Sequence, residues 1–380
     1  MKRIYHLDIL RNFANMIRCL IHAGIPYMVS ETPIWPTNDK GSWVFDIMIF
    51  EFHLFVMELF FVLSGYLFAM QIQKHELKKV IINRLRYIVL PFFIGLIILV
   101  PFILSIFTLS QYSGWSFFQF DIFIEAYLEG WRLGFEMFFP TGNLWYLYYL
   151  IIFYSFSLIF RSQLLNQILY GSISKILIIA IIISSACMFF MDRWIVDAPL
   201  TFTPDTTSLI HYYLFFLIGG FIFNSPSLSK ELIHNYRSML FSGCIMGVIS
   251  LIFQFWHGKT EIEFYYFIQV LAIFSTCSAT YFLVFGIWGF CFAKYFKISK
   301  SFNYLTDASY WIYLTNMPVV AMIQLILIPL AIPIFIKFII SFSLSLFICL
   351  ITYEYFVRYT LVGELLNKKR KRKSWSFRGD

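Results

Sequence analysis

Charge is scarce in this chain. Only 13% of its 380 residues are Asp, Glu, Lys or Arg, against about 25% in ordinary soluble domains. With 60% of residues hydrophobic, that scarcity excludes a soluble globular domain and predicts an all-α, polytopic membrane bundle. Cysteine is sparse and unpatterned: Cys19, Cys187, Cys244, Cys277, Cys291 and Cys349 lie in apolar segments without CxxC or Cys/His spacing. Neither a disulfide framework nor a metal site is expected. No small-residue cleavage site follows the first apolar segment, so it is expected to remain as a span. No internal repeat is visible, which withholds support from an inverted-repeat transporter.

What is present is a succession of apolar stretches. A tilted bilayer helix needs about 20 apolar residues, and ten candidates meet that need: 7–29, 43–70, 87–109, 144–160, 176–191, 209–223, 239–256, 264–292, 308–327 and 334–359. Lys and Arg concentrate in short cytoplasmic loops. Here they fall at Lys2 and Arg3, then at Lys74, Lys78, Lys79, Arg84 and Arg86, at Arg161 and Lys175, at Lys230 and Arg237, and at Lys294, Lys297 and Lys300. The alternate connections are acidic, with Asp121, Glu125, Glu129 and Glu136 against Arg132, and Asp192, Asp197 and Asp205 against Arg193. Both termini are therefore expected in the cytoplasm, which requires an even number of spans. The longest connection, 110–143, carries Tyr112, Trp115, Phe117, Phe118, Phe120 and Trp131 and is expected to fold onto the outer mouth rather than form a soluble domain.

The net charge of +8 would raise nucleic acid as a partner of a soluble protein; here much of the excess lies in a tail at 368–373. Anionic lipid of the cytoplasmic leaflet is the expected partner of that run, and nucleic acid is not. The division expected is a single transmembrane domain over 1–362 and a basic cytoplasmic tail over 363–380.

Within the first span runs a polar stripe: Asp8, Arg11, Asn15, Arg18 and His22, at steps of three, four, three and four residues. On a helix these share one face. Arg11 and His22 point the same way with about 16 Å of rise between them. Ionisable groups at membrane depth are expensive and mark function, although a structural polar face or a water-filled vestibule remains the alternative. With the N-terminus inside, Arg11 lies near the inner interface and suits a phosphate or carboxylate of a cytoplasmic donor. His22, in the outer half, suits proton transfer.

Other constellations are less specific. The second span holds Glu51, His53 and Glu58; His53 or Glu58 is placed to orient His22 from a neighbouring helix, or to satisfy a structural hydrogen bond. Ser64-Gly65 predicts close helix packing rather than a nucleophile elbow. Lys78, Lys79, Arg84 and Arg86 suit phosphate binding and positive-inside bias alike. Asn143 and Trp145 open the fourth span, and Asp307 is a candidate helix cap. Asn316-Met317-Pro318 predicts a kink with freed carbonyls, and Glu354 an i,i+4 pair with Arg358.

Taken in order, these residues resemble the membrane acyltransferases called acyltransferase family three. Arg11, ten residues and His22 match that family's Arg-x10-His; 60–67 resembles its Phe-Phe-x-x-Ser-Gly segment, 143–147 its His-Leu-Trp-Phe-Leu segment, and 309–318, which includes Tyr313, its Ser-x-x-Ile-Tyr-Leu-x-His-x-Pro segment. Within the family the resemblance is nearest the glucan biosynthesis protein C branch, through Leu7-Asp8, His53, 77–79 before Arg84, 215–219 and Tyr353-Glu354.

The resemblance implies that His22 is the catalytic base and Arg11 its partner or a donor-binding group. Arg18, Asn15, His53, Glu58, Lys78, Lys79, Arg84, Arg86, Asn143, Trp145, Tyr313 and Asn316 are the candidate donor- or substrate-binding residues. It further implies succinyl-CoA or acetyl-CoA as co-substrate with no bound cofactor, a glucan or other carbohydrate hydroxyl as acceptor, and a multi-pass place in a bacterial inner membrane. Two departures stand out: Asn143 and Asn316 occupy family histidine positions, and asparagine cannot shuttle a proton. A transporter or flippase for a glycan or lipid-linked intermediate, and a catalytically silent subunit, are the competing expectations.

Overall fold

The computed structural model describes residues 4–30, 35–38, 40–110, 120–136, 140–159, 171–296 and 298–366, and every regular element among them is helical. In chain order the helices are α1 (Tyr5–Gly24), α2 (Trp43–His53), α3 (Val56–Lys74), α4 (Leu77–Arg84), α5 (Leu90–Leu109), α6 (Phe120–Glu136) and α7 (Trp145–Ile159). There follow α8 (Ile173–Met188), α9 (Thr206–Asn224), α10 (Pro226–Gln254), α11 (Tyr265–Ala293), α12 (Lys300–Leu327), α13 (Ile334–Thr352) and α14 (Leu361–Leu366). A π-turn at Leu85–Val89 carries α4 into α5 without a break, and another at Tyr353–Val357 ends α13.

Among the described residues, eight helical stretches are long and apolar enough to cross a membrane, so the chain is a multi-pass membrane bundle. Each coincides with a span expected from the sequence. The two remaining candidates are helical as well. α8 has only 16 residues. α1 has 20, but the charges of its stripe lower its hydropathy. The expected ends 368–373, with Lys2, Arg3, Arg161, Lys297 and aromatics 112–118, lie outside the described residues.

α1 sits in the middle of the bundle, packed against α12, α3, α13, α2 and α11. That position explains how its polar face is tolerated: Asp8, Asn12, Asn15 and Arg18 are buried among helices rather than turned to lipid. α3 and α9 approach closely where Ser64-Gly65 was expected to permit it. A methyl added at Gly65 would overlap the Phe216 carbonyl, and one added at Gly219 would overlap that of Val62. The Glu354–Arg358 pair forms at 2.7 Å.

One expectation is corrected. Asp307 is no cap, because α12 begins at Lys300 behind Ser299, whose Oγ accepts from the Phe302 amide at 3.0 Å. The long third connection contributes a helix of its own, α6, which packs along α5. Ala126 of α6 joins Ile106 and Leu109 of α5 and Ala321 and Leu325 of α12 in a second apolar cluster.

Candidate active site

The stripe of α1 is held against α12 by a ladder of constant register. Asn12 Nδ2 donates to Thr306 Oγ1 at 2.7 Å, Asn15 Nδ2 to the Ser309 carbonyl at 3.3 Å, and Arg18 Nη2 to the Ile312 carbonyl at 3.2 Å. Each partner lies 294 residues downstream. Equal steps on both helices mean that they run parallel and in register, as the first and ninth spans should when both leave the cytoplasm. One further step brings His22 to Asn316, whose side chain lies beside the imidazole.

Polar atoms converge here with their bonding capacity unspent. Arg18, 5% exposed, also donates from Nη2 to Asn15 Oδ1 at 3.1 Å, and its guanidinium lies 4.9 Å from the centre of the Tyr313 ring. Its Nε and Nη1 have no partner. His22 Nδ1, Asn316 Oδ1 and Asn143 Oδ1 are likewise buried and unpartnered. Burying one such atom costs about 1–3 kcal/mol. A group of them on facing elements calls for an explanation, and a bound polar ligand that supplied the missing partners would be one.

Proline and glycine place the third wall. Pro318 has no amide hydrogen, so the Leu314 carbonyl one turn earlier loses its helical partner. Asn143 Nδ2 supplies the donor at 3.2 Å, fulfilling the expectation of freed carbonyls in α12. Asn143 reaches it from a 3-10 turn, Gly142–Leu144, that Gly142 opens at φ +50°, a conformation glycine adopts without strain. In return Tyr313 Oη donates to the Asn143 carbonyl at 2.7 Å. Asn316 Nδ2 donates to Ser345 Oγ of α13 at 3.2 Å.

Of the other residues expected at the site, some join this group and some do not. Arg11 lies two turns below Arg18, one-third exposed, with Nη1 3.9 Å from Asp8 Oδ1. It stands within electrostatic reach of Tyr146, whose hydroxyl meets Ser64 Oγ at 2.6 Å. His53 is in the electrostatic surroundings of His22, while its Nδ1 donates to its own helix at the Ile49 carbonyl, 2.8 Å. Glu58 does not orient His22. Glu58 Oε1 lies 3.4 Å from His211 Nε2, and His211 Nδ1 3.2 Å from Ser184 Oγ, which ties α3, α9 and α8 together in another part of the core. Trp145 is embedded among Phe61, Tyr149 and Tyr212.

At the end of the bundle assigned to the cytoplasm, Lys78 and Lys79 are exposed on α4. Arg86 meets Glu364 at 3.5 Å. Arg84 turns inward, 4.4 Å from the Tyr154 ring and 5.6 Å from that of Phe68, with Nε and Nη2 buried and unpartnered.

Three contributors were not expected from the sequence. Asn12 lies between stripe positions, and Tyr146 looks like ordinary core; Ser64, expected only to permit close packing, also meets the Tyr146 hydroxyl. Gln324 was the most discoverable, a polar residue on an apolar helix two turns beyond Asn316. Its Nε2 donates to the carbonyls of His22 and Ala23 at 2.9 and 3.1 Å.

No curated protein and no solved structure matches the chain. A family model does: the acyltransferase domain of family three matches residues 4–354. That match takes in the whole stripe of α1, the Asn143 turn and α12 with its Pro318, so the chain belongs to acyltransferase family three and is a multi-pass membrane acyltransferase.

Proposed function

We propose that this chain is an O-acyltransferase of the bacterial inner membrane that moves an acyl group, succinyl or acetyl, from cytoplasmic acyl-CoA to a hydroxyl of an envelope carbohydrate, nearest in kind to the glucan biosynthesis protein C branch. The observation that carries the reading is the convergence of unpartnered His22 Nδ1, Arg18 Nε and Nη1, Asn316 Oδ1 and Asn143 Oδ1 on one buried place.

Acyl transfer to a sugar hydroxyl needs a base for the proton and a cation or donors for the oxyanion. His22 takes the hydroxyl proton as the acceptor oxygen bonds to the thioester carbonyl carbon. The oxyanion so formed is stabilised by the free N–H groups of Arg18, one turn below His22. When the carbonyl re-forms, the carbon–sulfur bond breaks and the departing thiolate receives the proton from His22. Ester and free thiol result, with atoms and charge balanced.

Asn316 and Asn143 accept or donate hydrogen bonds and so position the acceptor without joining the proton transfer. Arg11 and Arg84 lie on the donor side, where guanidinium groups suit the phosphates of coenzyme A; Lys78, Lys79 and Arg86 add charge at the entrance, and the basic tail binds anionic lipid. The reading is tested in cells lacking the gene, by mass spectrometry of envelope glycans. Wild-type protein restores an acyl ester and His22→Ala, at equal protein level, restores none. Esters that persist with His22→Ala overturn it.

A further inference from the structure

The connection between α1 and α2 brings one aromatic side chain, Trp35, beside the proposed base. The Trp35 ring centre lies 5.8 Å from that of His22, inclined at 41°. Its other neighbour is Phe107 of α5, at 5.3 Å, and the second apolar cluster, formed by α5, α6 and α12, backs it.

The indole is fixed by more than packing. Trp35 Nε1 donates to Gln324 Oε1 at 2.9 Å, and the amide of the same Gln324 donates to the carbonyls of His22 and Ala23. Those carbonyls belong to the last turn of α1, which has no helical partners to offer them. One side chain therefore ties loop, base and α12 into a single geometry. The loop is anchored again just beyond: the Asn38 amide donates to the Pro26 carbonyl at 3.0 Å, the Ser42 amide to that of Tyr27 at 2.8 Å, and Lys337 Nζ to Asn38 Oδ1 at 2.8 Å. With its N–H already satisfied, what the half-buried ring still offers is apolar and electron-rich.

We propose that Trp35 is the platform for the acceptor, the surface on which the sugar ring carrying the reacting hydroxyl stacks beside His22. This rests on the carbohydrate-acceptor reading above. A pyranose has an apolar face of C–H bonds whose positive edges complement the negative face of an indole. Laid against Trp35, it meets the imbalance of the site: an apolar wall on one side and the unpartnered atoms of His22 and Asn316 on the other. Platform and base then share one rigid mount through Gln324, so the hydroxyl's approach to Nδ1 is set by the protein rather than by the substrate.

The alternative role is a plug that merely closes the outer mouth, and kinetics separate the two. Full-length wild-type protein, Trp35→Phe and Trp35→Leu are purified in detergent and assayed with acetyl-CoA and succinyl-CoA. Acceptors are short glucose oligosaccharides and, as one with no ring to stack, glycerol. Leu keeps an apolar side chain without the π face, and Phe keeps the π face, so the comparison stands even if Trp35→Ala does not fold. Trp35→Leu is expected to raise the KM for oligosaccharide about tenfold and leave the KM for donor unchanged; Trp35→Phe recovers most of that KM, while any fall in transfer to glycerol, which reads only the lost bond to Gln324, is the same in both variants. An unchanged oligosaccharide KM, or a change confined to faster thioester hydrolysis, overturns the platform alone. A wild-type protein that acylates no saccharide overturns the acceptor reading and the platform with it.

Discussion

Replacing Asn143 with Ala removes the amide that donates to the Leu314 carbonyl at 3.2 Å, which Pro318 has deprived of its helical partner. Two scales bear on the loss. Leaving a buried carbonyl unsatisfied costs about 1–3 kcal/mol in water-soluble proteins. Hydrogen bonds between membrane helices average only about 0.6 and reach about 1.7 kcal/mol, because the chain unfolded within the membrane also finds partners. The second scale applies to this bundle, so about 1 kcal/mol is expected.

Pro318→Ala returns an N–H to the position from which the helix itself satisfies Leu314. In that background Asn143→Ala should cost less, leaving a coupling of about 0.5–1 kcal/mol in the double-mutant cycle. Any cavity left by the smaller side chain is present in both backgrounds and cancels. Unfolding by SDS in mixed micelles, followed by circular dichroism, measures the four proteins. Equal effects of Asn143→Ala in the two backgrounds, to within about 0.3 kcal/mol, would refute the exchange of a helical bond for a side-chain one.

Three further outcomes follow from the same contacts. Gly65→Ala forces the Phe216 carbonyl away and is expected to destabilise the α3–α9 contact by about 2–3 kcal/mol, seen as lost monodisperse yield on size-exclusion chromatography; normal yield and stability would contradict the close approach. Arg84→Gln should raise the KM for acyl-CoA about tenfold while kcat holds, and an unaltered donor KM removes Arg84 from the donor path. Arg18→Ala, assayed at matched protein level, should lower kcat by about 100- to 1000-fold, whereas a modest fall confined to KM would place Arg18 in binding rather than in stabilising the oxyanion.

The polar stripe was legible because five charged or amide side chains at helical spacing stand out in an apolar segment, and the spans were legible from hydropathy and loop charge. The freed Leu314 carbonyl also followed from local chemistry, since proline removes a donor in any helix. What sequence could not convey was the partner of each polar group. The register that pairs Asn12, Asn15 and Arg18 with α12 is set by packing between helices 294 residues apart, and hydropathy carries no register. The two roles left open for Glu58 could not be separated for that reason: its face on α3 turns to His211 rather than α1, which makes the contact a structural one. Asp307 looked like a cap because Ser299, the true cap, lies beyond the apolar stretch that marks the span. Trp35 gave no signal at all, because a loop has no periodicity to break.

The central claim is that His22 is the base. It is tested most directly with purified protein reconstituted in liposomes, supplied with acyl-CoA and a glucose oligosaccharide, by measuring ester formation with wild type and His22→Ala. The account predicts donor-dependent ester with wild type and a rate lower by about 100- to 10,000-fold with His22→Ala, the variant remaining folded. A His22→Ala protein that transfers the acyl group at the wild-type rate would contradict it.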